Sequence, residues 1–242
     1  MKTKLSIIAV LLLAFCAANY AQVVVVTGHK VTYTRPKPIS DGKRTFTVNY
    51  PRIRATTVAL SRKIEAAFSY EKAFAISINE EINEIQWLYK ADFKVLYNNN
   101  GLLNIALTID GSGAYPDGST RSVIVDTKTG NRILPGDVFV YIGGLVDMVW
   151  KVHQKEIAVA IAEIKANKDL EEPEPERLFE NARFRMDNLK GFDVDAKGVT
   201  FFYDYGFPHA IQAMEPPGEF KFTWTQMKPY IRVNGALGRM TR

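Results

Sequence analysis

The stretch Phe93-Lys-Val-Leu-Tyr-Asn-Asn-Asn-Gly-Leu-Leu-Asn-Ile-Ala-Leu-Thr-Ile109 decides the fold class. Phe93, Val95 and Tyr97 alternate with other residues, as the two-residue period of a strand requires. Asn98-Asn-Asn-Gly101 then supplies residues that accept the left-handed backbone of a tight turn. Leu103, Ile105, Leu107 and Ile109 resume the alternation on the far side, so the segment predicts a β-hairpin with one apolar face.

Working outward toward the N-terminus, residues 23–26 and 31–34 read as short strands, punctuated by Pro36, Pro38 and Ser40-Asp-Gly42. Phe46, Val48 and Tyr50 form a further strand that Pro51 is expected to end. Thr56 or Thr57 caps a helix through Val58, Ile64 and Phe68, and Ile78, Ile82 and Ile85 recur at helical spacing. In the other direction, the glycine-rich residues 110–118 read as a loop, and residues 122–126 as a third strand. A long helix is expected over residues 144–166, its inner face marked by Leu145, Val149, Val152, Glu156, Ala160, Ile161 and Ile164. Residues 171–176, acidic and broken by proline, form a surface connection. Beyond it come a strand–turn–strand over 192–203, a long loop over 204–217, a strand over 219–223 and a helical turn over 226–230.

Strands in clusters with helices between them predict a single α+β domain, a mostly antiparallel sheet with a long helix packed on one face. Of the 242 residues, 47% are hydrophobic and 24% charged, which suits a packed core and excludes a disordered or fibrous chain. The expected organisation is a signal peptide over 1–21, an N-terminal extension of strands over 22–46, the α+β domain over 47–232, and a tail over 233–242.

The signal peptide rests on Lys2 and Lys4, the apolar run of residues 5–15, and small residues leading to Ala21. Phe15 before Cys16 fits lipoprotein processing badly, so cleavage near Ala18 or Ala21 is expected instead. The mature chain would then be periplasmic or secreted, with no membrane span. Its Lys+Arg count falls from 31 to 29 against 26 acids, leaving a net charge of +3, weak for a nucleic-acid partner. Without Cys16 it has no disulfide and no thiol nucleophile.

Motifs for catalysis or cofactors are missing from the sequence. His29, His153 and His209 have no partners at metal-ligand spacing, so neither a metal nor a cofactor is expected. His153 falls one position off the apolar stripe and reads as a hydrogen-bonded or surface histidine. Asp110 and Asp117 do not follow a calcium-loop pattern, because Ala114 and Pro116 occupy ligand positions. Asp193 and Asp195, ahead of Gly198, read as turn chemistry.

Several segments, in order, resemble the domain-of-unknown-function family 3298 (DUF3298) and its N-terminal companion domain (DUF4163). Val48-Asn-Tyr-Pro51 is similar to the family's opening strand, and Tyr97-Asn-Asn-Asn-Gly-Leu-Leu-Asn-Ile105 to its hairpin. Asp126-Thr-Lys-Thr-Gly-Asn-Arg-Ile-Leu-Pro-Gly-Asp-Val-Phe139 is the clearest match. Gly198-Val-Thr-Phe-Phe-Tyr-Asp204 and Phe207-Pro-His-Ala210 resemble its C-terminal strand and loop. Two departures stand out: Tyr115 replaces a loop histidine, and His209 a loop tyrosine.

The resemblance implies a non-catalytic binding or sensing domain of the cell envelope, as in RsiV-like anti-sigma factors, which bind lysozyme, and PdaC-like peptidoglycan deacetylases. The expected partner is therefore an envelope protein or glycan, lysozyme or peptidoglycan among them. Loop aromatics are the expected contacts: Tyr115, Tyr205, Phe207, Pro208 and His209. A second reading, from a different class, is a small envelope hydrolase or glycan-modifying enzyme using Asp110, Asp117 and Asp204 with His209 as base.

Overall fold

A computed structural model describes residues 23–113, 115–167 and 174–241, with the backbone alone at positions 209 and 210. The expected signal peptide and Cys16 lie outside the described residues. Five strands form the main sheet: β1 (Val25–Thr34), β2 (Thr45–Arg54), β3 (Leu88–Asn99), β4 (Leu102–Ser112) and β5 (Pro116–Asp126), side by side in that order. Every pairing is antiparallel except β2 with β3, which is parallel and joins only Thr47 to Lys90 and Val48 to Ala91. Three strands, β6 (Phe192–Val194), β7 (Gly198–Phe202) and β8 (Glu219–Thr223), form a second antiparallel sheet. Among the helices are α1 (Val58–Ala67), α2 (Tyr70–Phe74), α3 (Ile78–Asn83), α4 (Pro135–Val138), α5 (Ile142–Ala166) and α6 (Trp224–Met227).

The β3–β4 hairpin closes as its sequence predicts. Asn99 faces Leu102, and Asn100 and Gly101 make the turn at φ of 50° and 72°, both in the left-handed region. One β4 face, with Leu103, Ile105, Leu107 and Ile109, packs with Phe46, Val48, Ile64, Phe68 and Tyr70 from β2, α1 and α2. Thr57 starts α1 by accepting the Leu60 N–H at 3.1 Å. The opposite β4 face turns Leu102 into a second core, shared with Phe201, Phe220, Leu145 and Val149. The near-continuous burial of residues 102–107 reflects this sandwiching, since a strand covered on both sides has no solvent face. Asn104 ties the two sheets together, donating to Asp193 Oδ1 at 3.0 Å and to the Val194 carbonyl at 3.2 Å. Burial pushes the Asp193 carboxyl up, against the opposing pull of hydrogen bonds from Ser122 and Asn104. Asp195 does supply turn chemistry, accepting from the amides of Lys197 and Gly198, whereas Asp193 is a link between sheets.

The chain is thus a single α+β domain with a mostly antiparallel sheet and a long helix. Helix α5 lies over the three-stranded sheet, and Leu145, Val149, His153, Ala160 and Ile164 are its buried residues. Besides Asp193, four local expectations change. Residues 23–26 and 31–34 belong to one strand, because β1 pairs with β2 over ten consecutive positions. Strand β2 continues past Pro51 to Arg54, since β3 leaves its other edge open there and a missing amide costs little. Residues 110–118 are mostly strand: Asp110 faces Gly118, Gly111 faces Asp117 and Ser112 faces Pro116. On α5, His153 replaces Val152 on the inner face, since the Leu145–Val149 step of four residues continues to position 153.

Candidate functional site

The site begins with a strained residue. Gln86 is buried and carries φ of 53°, a left-handed conformation unusual for a residue with a side chain. Its amide is fixed at both ends, Nε2 donating to the Lys37 carbonyl at 2.8 Å and Oε1 accepting from the Ile39 amide at 2.9 Å. This kink sends Trp87 toward the tip of the β4–β5 hairpin. The Trp87 carbonyl accepts the Ser112 amide at 3.0 Å and Lys43 Nζ at 3.2 Å, while Lys43 also donates to the Ser112 carbonyl at 2.6 Å. The indole lies against Gly111: a Cβ built there would fall 2.3–2.5 Å from three ring atoms. Only glycine leaves room for this seat.

A buried polar cluster braces the same corner. Arg35 is fully buried, with Nε on the Glu81 carbonyl at 2.8 Å, Nη1 on the Lys43 carbonyl at 2.9 Å, and Nη2 on the Leu88 carbonyl at 2.8 Å. Its Nη2 also reaches Glu81 Oε2 at 3.4 Å, and that oxygen accepts the Leu88 amide at 2.8 Å. Every buried charge here has a partner, as burial demands.

The facing wall comes from the connection between β7 and β8. Glu215 Oε1 accepts the amides of Tyr205 and Gly206, and Asp204 Oδ1 accepts the Gly206 amide as well. Tyr205 turns inward, donating its hydroxyl to Glu156 Oε2 on α5 at 2.7 Å and packing edge-on against Phe179. Burial and the neighbouring Glu156 carboxylate push its phenol well above the ordinary tyrosine range. Phe207 follows, 5.4 Å from the Phe179 ring and 6.0 Å from that of Tyr205.

Between these walls lies an open groove of about 690 Å³, lined by Trp87, Tyr115, Asp117, Phe207 and Gln212, with Pro116 and two glycines at the hairpin tip. The structure therefore brings together Tyr115, 68% exposed, and Phe207, two expected contact residues more than ninety positions apart. Tyr205 is not with them; it supports the wall from behind. Pro208 is exposed beside Phe207, and the His209 side chain lies outside the described residues. Of the three carboxylates in the enzyme reading, Asp117 reaches the groove, Asp204 is engaged by the Gly206 amide, and Asp110 sits opposite Gly118 on the exposed strand.

Sequence reasoning missed Trp87 and Gln212. Trp87 carries a weak signal, one of three tryptophans, placed just ahead of a strand. Gln212 carries none. His153 was also misjudged: it is fully buried among the rings of Trp150, Tyr203, Tyr205 and Phe220, and neither ring nitrogen has a hydrogen-bond partner among the described residues. No helix among the described residues is long and apolar enough to cross a membrane.

Comparison with known proteins gives structural neighbours only. No family model matches the sequence, and no curated protein matches it either. A member of the DUF3298 family from Bacteroides fragilis, solved by crystallography, superposes with a TM-score of 0.57 at 17% identity, covering 91% of this chain and 98% of that one. A DUF3298 family protein from Pseudomonas aeruginosa gives a TM-score of 0.51 at 14% identity, covering 86% and 94%. At such identities the likeness speaks for the fold, and the fold of this chain is that of these two DUF3298 structures.

Proposed function

We propose that this protein is an exported, non-catalytic binding domain of the bacterial cell envelope, taking an envelope protein or glycan in the groove between the β4–β5 hairpin tip and the β7–β8 connection. One observation carries the reading: aromatic rings from three distant segments line a single open groove, with the Trp87 backbone held by hydrogen bonds and the Phe207 ring packed against Phe179. A groove of about 690 Å³ falls in the ~300–1,000 Å³ range of ligand clefts. Rigid aromatic anchors at its walls are the residues that commonly carry binding energy. The motif resemblance to RsiV-like and PdaC-like proteins, with the charged and apolar N-terminal segment, supports an extracytoplasmic location.

The test is a capture experiment from envelope extract, with lysozyme and peptidoglycan added as baits. Parent protein is expected to retain a partner that the Tyr115→Ala, Gln212→Ala double variant releases. Both side chains are exposed, so their loss should leave the fold intact. Equal capture by parent and variant overturns the groove as the binding site. Mass spectrometry of the exported protein should find a mature N-terminus near residue 22; an intact Met1 or Lys2 refutes the expected processing.

A further inference from the structure

We infer that the groove over Trp87 is a subsite for a neutral or amino-sugar glycan, held by stacking and by hydroxyl hydrogen bonds. The inference rests on the binding reading above and narrows its occupant.

Three features of the groove point the same way. First, the backbone at the Trp87 and Phe207 walls is already engaged: the Ser112 amide and Lys43 both donate to the Trp87 carbonyl, and Glu215 accepts the amides before Phe207. At these walls recognition falls to side chains. Second, those side chains are of two kinds. Trp87, Tyr115 and Phe207 line the groove with aromatic rings, whose π faces carry partial negative charge and attract the polarised C–H bonds on one side of a sugar ring. Gln212 offers two donors and an acceptor, and Asp117 acceptors only, which together suit the alternating hydroxyls around a sugar's edge. Third, Asp117 is the one charged group among the described lining residues, so the local field disfavours acidic polymers.

Titration calorimetry and tryptophan fluorescence on the whole chain test this, using chitohexaose, cellohexaose and an oligogalacturonate of the same length. Saturable binding of a neutral hexasaccharide is expected, with the acidic one failing to bind. Tyr115→Ala and Gln212→Ala should each weaken it about tenfold. Tyr141→Ala, which removes an exposed aromatic at the start of α5 outside the groove lining, should leave it unchanged. The inference is overturned if neither neutral hexasaccharide binds, if the acidic one binds best, or if Tyr141→Ala weakens binding as much as Tyr115→Ala. The two readings fail separately. A captured envelope protein that depends on Tyr115 and Gln212, without oligosaccharide binding, removes the glycan and leaves the groove. Capture indifferent to both residues removes the groove itself.

Discussion

Replacing His153 with phenylalanine should flatten the acid limb of the protein's stability curve. His153 is fully buried on α5, with the rings of Trp150, Tyr203, Tyr205 and Phe220 within 4.3–5.2 Å of its own, and neither nitrogen is partnered among the described residues. Burial therefore lowers its pKa from 6.5 to about 4, because the imidazolium would sit without water or counter-charge. Glu156, three residues on along α5, is already taken by the Tyr205 hydroxyl. The unfolded chain binds the proton first, so the neutral native histidine is fully compatible with folding above pH 6.5, and stability falls as pH drops toward 4. At 1.36 kcal/mol per pH unit the full loss is about 3 kcal/mol, of which about 2 kcal/mol falls between pH 7 and pH 5. Urea unfolding followed by tryptophan fluorescence, with Trp150 beside the site, measures this at the two pH values. The parent should lose about 2 kcal/mol more than His153→Phe. Asp193, whose raised carboxyl acts with the opposite sign, is common to both proteins and cancels in the difference. Parallel pH curves for the two proteins would refute the argument, and so would an NMR titration finding His153 protonated at pH 6.

Three further outcomes follow from the geometry. Gly111→Ala puts a methyl group into the Trp87 ring, so it should shift the tryptophan emission and cost about 1–3 kcal/mol in urea unfolding. Tyr205→Phe removes the 2.7 Å hydrogen bond to Glu156 while keeping the ring beside Phe207; a loss of about 1.5–3 kcal/mol is expected in thermal unfolding. Gly101→Ala asks a side chain to adopt φ of 72° and to displace the Arg239 guanidinium, which pairs with Asp126, so a loss of about 1–2 kcal/mol should appear in chemical denaturation.

Local pattern was readable in the sequence and distant assembly was not. The β3–β4 hairpin follows from its own residues, because alternation and an Asn-Gly turn act within a few positions. Helix α5 was legible for the same reason: an apolar stripe long enough to fix both length and face. Its histidine was misplaced because a ring buried without hydrogen bonds contradicts the usual habit of polar side chains. Pro51 and the glycines of residues 110–118 misled for a related reason. Each breaks a regular element only where both edges or faces are occupied, and neighbours far along the chain decide that. At the site, Tyr115 and Phe207 were legible as loop aromatics, yet their convergence depends on how α5 and residues 203–214 dock, which no local pattern encodes.

The cost of the buried polar corner makes sense when set beside the groove. Arg35 with Glu81, Lys43 and Gln86 occupy positions where aliphatic residues would pack without desolvating charge, and buried ion pairs are often no more stabilising than such replacements. Hydrophobic packing is tolerant of small shifts, however, whereas hydrogen bonds fix direction. Arg35 aims a bond at the carbonyl of Leu88 and Lys43 at the carbonyls of Trp87 and Ser112, while Gln86, next to Trp87 in the chain, ties that segment to residues 37 and 39. The opposite wall uses the same device, with Glu156 and Glu215 fixing Tyr205 and the backbone ahead of Phe207. Polar groups are thus concentrated where two aromatic walls must keep a set distance, and the cores on either side, which need no such precision, are built almost wholly from aliphatic and aromatic residues.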